Sequence, residues 1–121
     1  PGSQPEAPEV VMTGRKPDVL ACGFCHLPDG AGRPENAALA GLPAAYIVEQ
    51  TAAFASGARR SAWTDSPYLP STLMASVARA ATAAEVADAA AYFSALRLPA
   101  PRARIVEAAR IPKIHSAAWV H

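Results

Sequence analysis

Two segments of the chain repeat apolar residues at the spacing of an amphipathic helix. The first begins after Pro43, which suits the first position of a helix, and ends at Gly57, which suits the residue that follows one. At helical spacing, one face of this segment contains Ile47, Gln50, Thr51 and Phe54. Tyr46 and Ala53 flank this face. The pattern predicts a helix between Pro43 and Gly57.

The second segment has a stronger start signal. Thr82 and Glu85 have the spacing of a capping box, in which a hydroxyl and a carboxylate satisfy each other's backbone N–H groups. Pro99 ends the run. An apolar stripe follows the capping box and consists of Val86, Ala89, Ala90, Phe93 and Leu96. This segment is the clearest predicted helix.

The remaining pattern is weaker. Residues 10–20 carry Gly14 and Pro17, so they predict a turn or two of helix. Residues 58–71 are polar and predict a long loop between the second and third helices. Residues 1–9 contain three prolines and no periodicity, and no β-branched alternating run exists. We therefore expect an all-α fold with about three main helices and long loops.

Composition supports this fold class and limits the function. Ala occupies 30 of 121 positions and Pro 12, which favours helices separated by proline-rich loops. Such helices supply a thin core, so we expect a bound group to complete it. The formal net charge of +1 disfavours a nucleic-acid-binding protein. No apolar stretch approaches the 18 or so residues that cross a bilayer, so the chain is not expected to be transmembrane.

Charge is unevenly distributed. Residues 1–96 hold six Lys and Arg against nine Asp and Glu, whereas residues 97–121 hold five against one. A basic tail on a mildly acidic body either folds back on it, meets an acidic partner or is simply solvated.

The candidate chemistry lies in Cys22-Gly23-Phe24-Cys25-His26, which contains both cysteines of the chain. The pattern Cys-x-x-Cys-His is the signature of covalent c-type haem attachment, since two thiols three positions apart reach two vinyl groups of one porphyrin. The adjacent His26 then lies beneath the iron. Its second ring nitrogen needs an acceptor that fixes the tautomer.

A zinc site, a dithiol redox centre and a disulfide are the alternatives for this motif. A zinc site needs His26 together with His115 or His121, which lie far away in the tail. A dithiol redox motif normally follows a strand in a βαβ unit, and no strand is predicted before Cys22. A Cys22–Cys25 disulfide leaves the following histidine unexplained. Haem attachment is the preferred interpretation.

Residues 14–98 resemble class I c-type cytochromes, particularly small bacterial proteins with one His/Met-ligated haem. The resemblance rests on four stretches: residues 22–32, 39–46 and 54–59, and Met74 with the segment 85–96. It implies a cytochrome c fold wrapped around one covalent haem c. The domain boundaries would be a flexible lead-in at 1–13, the cytochrome domain at 14–98 and a basic extension at 99–121.

The resemblance also implies the second axial ligand. Met74 follows His26 by 48 residues and falls in the predicted loop before the last helix, where the family has its axial methionine. A core methionine beside Leu73 and Val77 is the alternative role. Met12 is poorly placed as a ligand, and His115 is the substitute if the tail reaches the distal face.

Other roles are carried over residue by residue. The acceptor for the His26 imidazole would be the backbone carbonyl at Ala37, where the family usually has a proline; Pro34 is nearby. Arg59, Arg60 and Trp63 are candidate donors to the haem propionates, or else solvated loop residues. Two tyrosines complete the set: Tyr46 as a wall of the haem pocket or a core residue, and Tyr92 as a packing residue against the first helix.

These features together imply a one-electron carrier rather than an enzyme, located in the bacterial periplasm and serving a redox partner protein. Its partner would be a dehydrogenase, an oxidase or a membrane complex. Two alternatives remain: a haem sensor or enzyme with an open distal site, and an electron-accepting module of a dehydrogenase. Residues 99–121 would serve as a tether or as a homodimer contact.

Overall fold

All regular elements in the described part of the chain are helices. The computed structural model describes residues 5–62, 69–97 and 107–110. The helices in chain order are α1 (Glu9–Met12), α2 (Cys22–His26), α3 (Ala44–Ser56), α4 (Pro70–Ala80) and α5 (Ala83–Ala95). Among these described helices, none is long and apolar enough to cross a membrane. The all-α prediction is confirmed.

Helices α3 and α5 have the ends that the sequence predicts. Helix α3 begins directly after Pro43 and stops at Gly57, whose φ of +80° is in the left-handed region that glycine tolerates. At the start of α5 the Thr82 hydroxyl accepts a hydrogen bond from the Glu85 N–H at 3.1 Å. The Glu85 carboxylate in turn accepts one from the Thr82 N–H at 2.7 Å. The capping box is therefore present in full.

Helix α4 is the main difference from the sequence prediction. The sequence pattern predicts a loop up to residue 71, and the resemblance places Met74 in the loop before the last helix. Instead, Pro70 begins an eleven-residue helix that contains Met74. Pro70 occupies the first turn, where its missing N–H costs nothing and its fixed φ suits the helix. The three long helices are thus α3, α4 and α5, while residues 10–20 supply only part of the four-residue α1.

The fold also begins earlier than residue 14. Helix α1 lies within the stretch 1–13 that the sequence predicts to be a flexible lead-in, and its Val10 and Val11 are buried in the core. A Cβ on Gly23 would lie 2.7 Å from the carbonyl oxygen of Val11. This close approach of α1 and α2 explains a glycine between the two cysteines.

The helices surround a cavity and bury few large side chains among themselves. Helix α3 packs against α4 and α5, and α1 packs against α2 and α5. In the described residues, the large side chains that are fully buried are Phe93, Val11 and Val19. A cavity of about 320 Å³ lies within this arrangement. The expectation of a thin core that needs a further component agrees with this geometry.

One ion pair joins the N-terminal segment to the start of α5. The Arg15 Nε donates to a Glu85 carboxylate oxygen at 2.8 Å, and the Glu85 side chain is 21% exposed. Hydrogen bonds from Arg15 and from the Thr82 backbone lower the pKa of Glu85 from 4.5 to about 2. The folded protein therefore holds this carboxylate charged at pH values where the unfolded chain protonates it.

We predict that Glu85→Gln loses a stabilisation that the wild type has in full only above about pH 4.5. The wild-type advantage over the variant should decline as pH falls from about 4.5 towards 2, because the unfolded chain takes up a proton before the folded one. Denaturant unfolding of both proteins at several pH values measures this difference. A difference in unfolding free energy that stays constant over this range would contradict the prediction.

Candidate functional site

Helix α2 carries the motif that dominates the site. Cys22 and Cys25 are three positions apart, so they lie on one face of the helix, and both line the 320 Å³ cavity together with His26. The two thiols are free and half-buried. The helix thus presents two thiols and an imidazole to the same cavity.

A single hydrogen bond fixes the orientation of His26. Its Nδ1 lies 2.8 Å from the carbonyl oxygen of Ala37. Because a carbonyl only accepts, this contact requires the proton on Nδ1 and leaves the Nε2 lone pair free to bind a metal. Burial lowers the pKa of His26, which favours the neutral imidazole that a ligand requires. The predicted role of Ala37 as acceptor is confirmed.

The turn that presents Ala37 depends on local backbone geometry. Arg33 and Asn36 exchange backbone hydrogen bonds of 3.0 Å, and the Gly32 N–H donates to the His26 carbonyl at 2.9 Å. Gly32 has a φ of +74°, and a Cβ there would lie 2.6 Å from the Asn36 carbonyl oxygen. Glycine is therefore needed for the loop to return beside His26.

The cysteine environments do not suit a dithiol redox centre. Burial raises the pKa of Cys22 to about 11, and burial likewise raises the pKa of Cys25. Dithiol catalysts need a thiolate, which a lowered pKa supplies. The zinc alternative relied on His115 or His121, which lie outside the described residues; within the described ones, no group of three or more His, Cys, Asp or Glu could hold a metal ion.

Met74 reaches the same cavity from α4. It lines the cavity on a stripe with Leu73, Val77 and Ala78, at the spacing of one helix face. Met12, the rival methionine, is 53% exposed, and His115 lies outside the described residues. The structure therefore brings Cys22, Cys25, His26 and Met74 to one cavity.

The donor set and the cavity fit a c-type haem. Two thiols on one helical face suit two thioether bonds, and an imidazole nitrogen with a thioether sulphur is the axial pair of cytochromes c. Much of the wall is apolar, as a porphyrin face requires, and includes Val19, Leu39, Leu42, Ile47, Val86 and Phe93. Of these, Ile47, Val86 and Phe93 come from the two helix faces that the sequence pattern identifies.

The predicted propionate donors differ from one another in the structure. Arg59 lines the cavity, donates from its guanidinium to Gln50 Oε1 at 2.9 Å and lies 5.0 Å from the centre of the Phe54 ring. Arg60 is exposed and does not line the cavity, and Trp63 lies outside the described residues. Of the two arginines predicted as donors, the structure thus brings Arg59 to the site and leaves Arg60 outside it.

The two tyrosines have separate roles. Tyr46 lines the cavity and is 42% exposed, so it stands at the cavity wall and not in the core. Tyr92 is buried, contacts the Phe93 ring edge-on and donates from its hydroxyl to the Pro28 carbonyl oxygen at 2.8 Å. Tyr92 therefore ties α5 to the loop after the cysteine motif, a polar contact that helix packing alone does not predict.

Comparison with known proteins gives the family. The family model for cytochrome c matches residues 13–97, more than half of the chain. The chain belongs to the cytochrome c family. Its prosthetic group is accordingly a covalent haem c. As a cytochrome c it is an electron-transfer protein.

Two proteins similar to this chain are named after thiosulfate dehydrogenase. The chain is 36% identical over 90 residues to the thiosulfate dehydrogenase electron acceptor of Thiomonas intermedia, covering 70% of this chain and 37% of that relative. The structure matches a thiosulfate dehydrogenase from Marichromatium purpuratum with a TM-score of 0.62 and 31% identity, covering 79% of this chain and 19% of that one. This cytochrome thus spans less than half the length of either relative.

Two cytochromes c4 have the same fold. The Acidithiobacillus ferrooxidans protein matches with a TM-score of 0.60 and 32% identity, covering 73% of this chain and 46% of that one. The Pseudomonas stutzeri protein has a TM-score of 0.60 at 24% identity, covering 74% and 45%, and supports the fold alone. The predicted cytochrome c fold is confirmed.

Proposed function

We propose that this cytochrome carries one electron at a time on a haem bound through thioethers to Cys22 and Cys25, with His26 and Met74 as axial ligands. The observation that carries the proposal is that all four side chains line one cavity and His26 is oriented by Ala37. Residues 14–98, extended by α1, form the haem-binding domain. Covalent attachment of this kind implies the periplasm.

The chain's own residues determine what the haem does. The haem supplies an iron that alternates between ferric and ferrous states. His26 offers a neutral Nε2 because Ala37 holds its other nitrogen as a donor. The Met74 thioether is a soft ligand that stabilises ferrous iron and raises the reduction potential. With His26 and Met74 both holding the iron, no position would be left open for a substrate, and the chemistry that the haem would supply is the transfer of one electron.

Arg59 is proposed to bind a haem propionate. Its contacts with Gln50 and Phe54 hold the guanidinium at the cavity wall. A planar guanidinium with several donors suits a carboxylate, and a fixed side chain loses less entropy on binding it. Arg60, the next residue, is exposed like Arg59 but does not line the cavity, so it serves as a matched comparison.

The redox partner is proposed to be a dehydrogenase that oxidises thiosulfate. Two relatives with more than 30% identity are described as a thiosulfate dehydrogenase or its electron acceptor. In that arrangement the dehydrogenase reduces the ferric cytochrome, which then passes the electron on. The extension at 99–121, most of which lies outside the described residues, is proposed as the tether to the partner.

We predict that Met74→Leu opens the distal site. The wild-type ferrous protein should show sharp bands unchanged by carbon monoxide, while the variant should bind carbon monoxide and show a reduction potential lower by on the order of 100 mV. Absorption spectroscopy and potentiometry measure both. Met12→Leu, which alters the exposed methionine, is the control and should behave as the wild type.

The same spectra separate the alternatives. Carbon monoxide binding by the wild type would overturn Met74 ligation and favour a sensor or an enzyme. Haem that is removed by acidified acetone would overturn the thioether linkage. A colourless protein from a host with the haem-attachment machinery would overturn the site altogether.

We predict that Arg59→Leu lowers the reduction potential by about 20 to 60 mV, because removing a positive charge near the haem stabilises the ferric form. Arg60→Leu should lower the potential by much less, since that side chain, unlike Arg59, does not line the cavity and solvent screens its charge. Equal shifts in the two variants would contradict a specific propionate contact by Arg59.

We predict that a purified thiosulfate dehydrogenase reduces the ferric cytochrome when thiosulfate is present. Stopped-flow absorbance at the reduced haem bands should show reduction with enzyme and thiosulfate together and not with either one alone. A chain that ends at residue 97 tests the tether and should be reduced more slowly at low protein concentration. Reduction no faster than in the enzyme-free control would exclude this partner.

A further inference from the structure

Arg15 has an exposed side chain, and its backbone is held by two hydrogen bonds to Val19. Its backbone N–H donates to the Val19 carbonyl oxygen at 2.8 Å, and the backbone N–H of Val19 donates to the Arg15 carbonyl oxygen at 2.9 Å. Val19 is fully buried and lines the cavity, three residues before Cys22. The backbone of Arg15 is therefore fixed to the segment that leads into the haem-attachment helix.

The guanidinium makes three hydrogen bonds to residues that are 65 and 70 positions away in the sequence. Nε donates to Glu85 Oε1 at 2.8 Å, and one Nη donates both to Glu85 Oε2 at 3.3 Å and to the Ala80 carbonyl at 3.0 Å. Two-point contact with a carboxylate has the directionality that most surface ion pairs lack. Arg15 thus holds two acceptors at once.

Both acceptors belong to the junction between α4 and α5. Ala80 is the last residue of α4, the helix that carries Met74, and Glu85 caps the start of α5 through Thr82. The Ala81 N–H donates to the Val77 carbonyl at 2.9 Å, so this turn continues directly from the helix. A side chain anchored near Cys22 therefore holds the C-terminal end of the Met74 helix.

The packing of α4 shows why such a contact has an effect. Its main helix contact is with α3, whereas α1 packs against α2 and α5. The Ala80 carbonyl is one of the final carbonyls of α4, which have no partner within the helix. Without Arg15 that end of α4 would be held to the attachment segment less firmly.

We propose that Arg15 is a positioning residue that holds α4, and with it Met74, in place beside the haem iron. This inference rests on the proposed function, in which Met74 is the axial ligand. Arg15 does not touch the haem in this role: it limits how often α4 moves away and the thioether leaves the iron. Its loss should make the distal position more accessible to competing ligands while haem attachment remains intact.

The test measures the rate at which imidazole replaces Met74 on the ferric holoprotein. Arg15→Ala should raise this rate by about threefold to fivefold, the range expected from one well-oriented surface ion pair. Glu85→Gln keeps the capping box, because glutamine also serves at that position, and should raise the rate by a smaller factor. Arg15→Lys should restore part of the wild-type rate.

Two controls separate positioning from charge and from general stability. Arg79→Ala removes an exposed arginine from the last turn of α4 and should leave the rate within about twofold of wild type. Tyr92→Phe removes the hydrogen bond to Pro28 and should lower the unfolding free energy without raising the imidazole rate. A merely structural role for Arg15 would make Arg15→Ala behave like Tyr92→Phe.

The possible results distinguish the inference from the proposed function. A wild type that binds imidazole as fast as Met74→Leu would show that Met74 is not the ligand. A wild type with an intact Met74 bond and equal rates in Arg15→Ala and Arg79→Ala would overturn the positioning role alone. If Arg15→Ala does not fold, equal rates in Glu85→Gln and Arg79→Ala would overturn it.

Discussion

The helices are arranged around a cavity that the side chains of the chain do not fill. Three helices of 11 to 13 residues meet around about 320 Å³ of space, and in the described residues few large side chains are fully buried. Several of the buried positions are alanines, which allow close helix packing but remove little apolar surface from water. In the proposed site the haem occupies this space, so its binding would stabilise the folded chain as well as supply the redox chemistry.

The sequence reveals the proximal side of the site better than the distal side. The cysteine motif, the capping box at Thr82 and the Gly57 stop are local signals, because each depends on residues a few positions apart. Ala37 is identified through the family resemblance, since nothing about an alanine indicates that its carbonyl is needed. The spacing that delivers this carbonyl depends on Gly32, whose positive φ and tight surroundings only the structure shows.

Helix α4, which carries Met74, is not predicted from the sequence, and there is a physical reason for this. Pro70 is typical of a loop, although proline in the first turn is also a common way to begin a helix. No hydroxyl or carboxylate side chain caps α4, so the usual start signal is absent there. The apolar stripe faces the haem cavity and is short, which weakens its periodicity. Helix α1 is also hard to predict, because the residues that it buries are two adjacent valines, which do not show the spacing of a helix face.

Met74, the proposed distal ligand, lies on a helix, and this changes how such a ligand is held in place. A ligand on a flexible loop is held mainly by its own bond to iron, whereas a ligand on α4 moves with eleven residues and with the contacts at both ends of that helix. Arg15 acts at one of those ends through an exposed ion pair, whose contribution to overall stability is modest. A modest interaction is sufficient here because it opposes only the local movement of one end of α4. The free energy of such a local opening is much smaller than that of unfolding the domain. Sequence separation hides this coupling, since Arg15 and Glu85 are 70 positions apart. The cysteine motif and the family resemblance therefore identify the groups proposed to bind the haem, and the tertiary structure identifies the residue proposed to hold one of them in place.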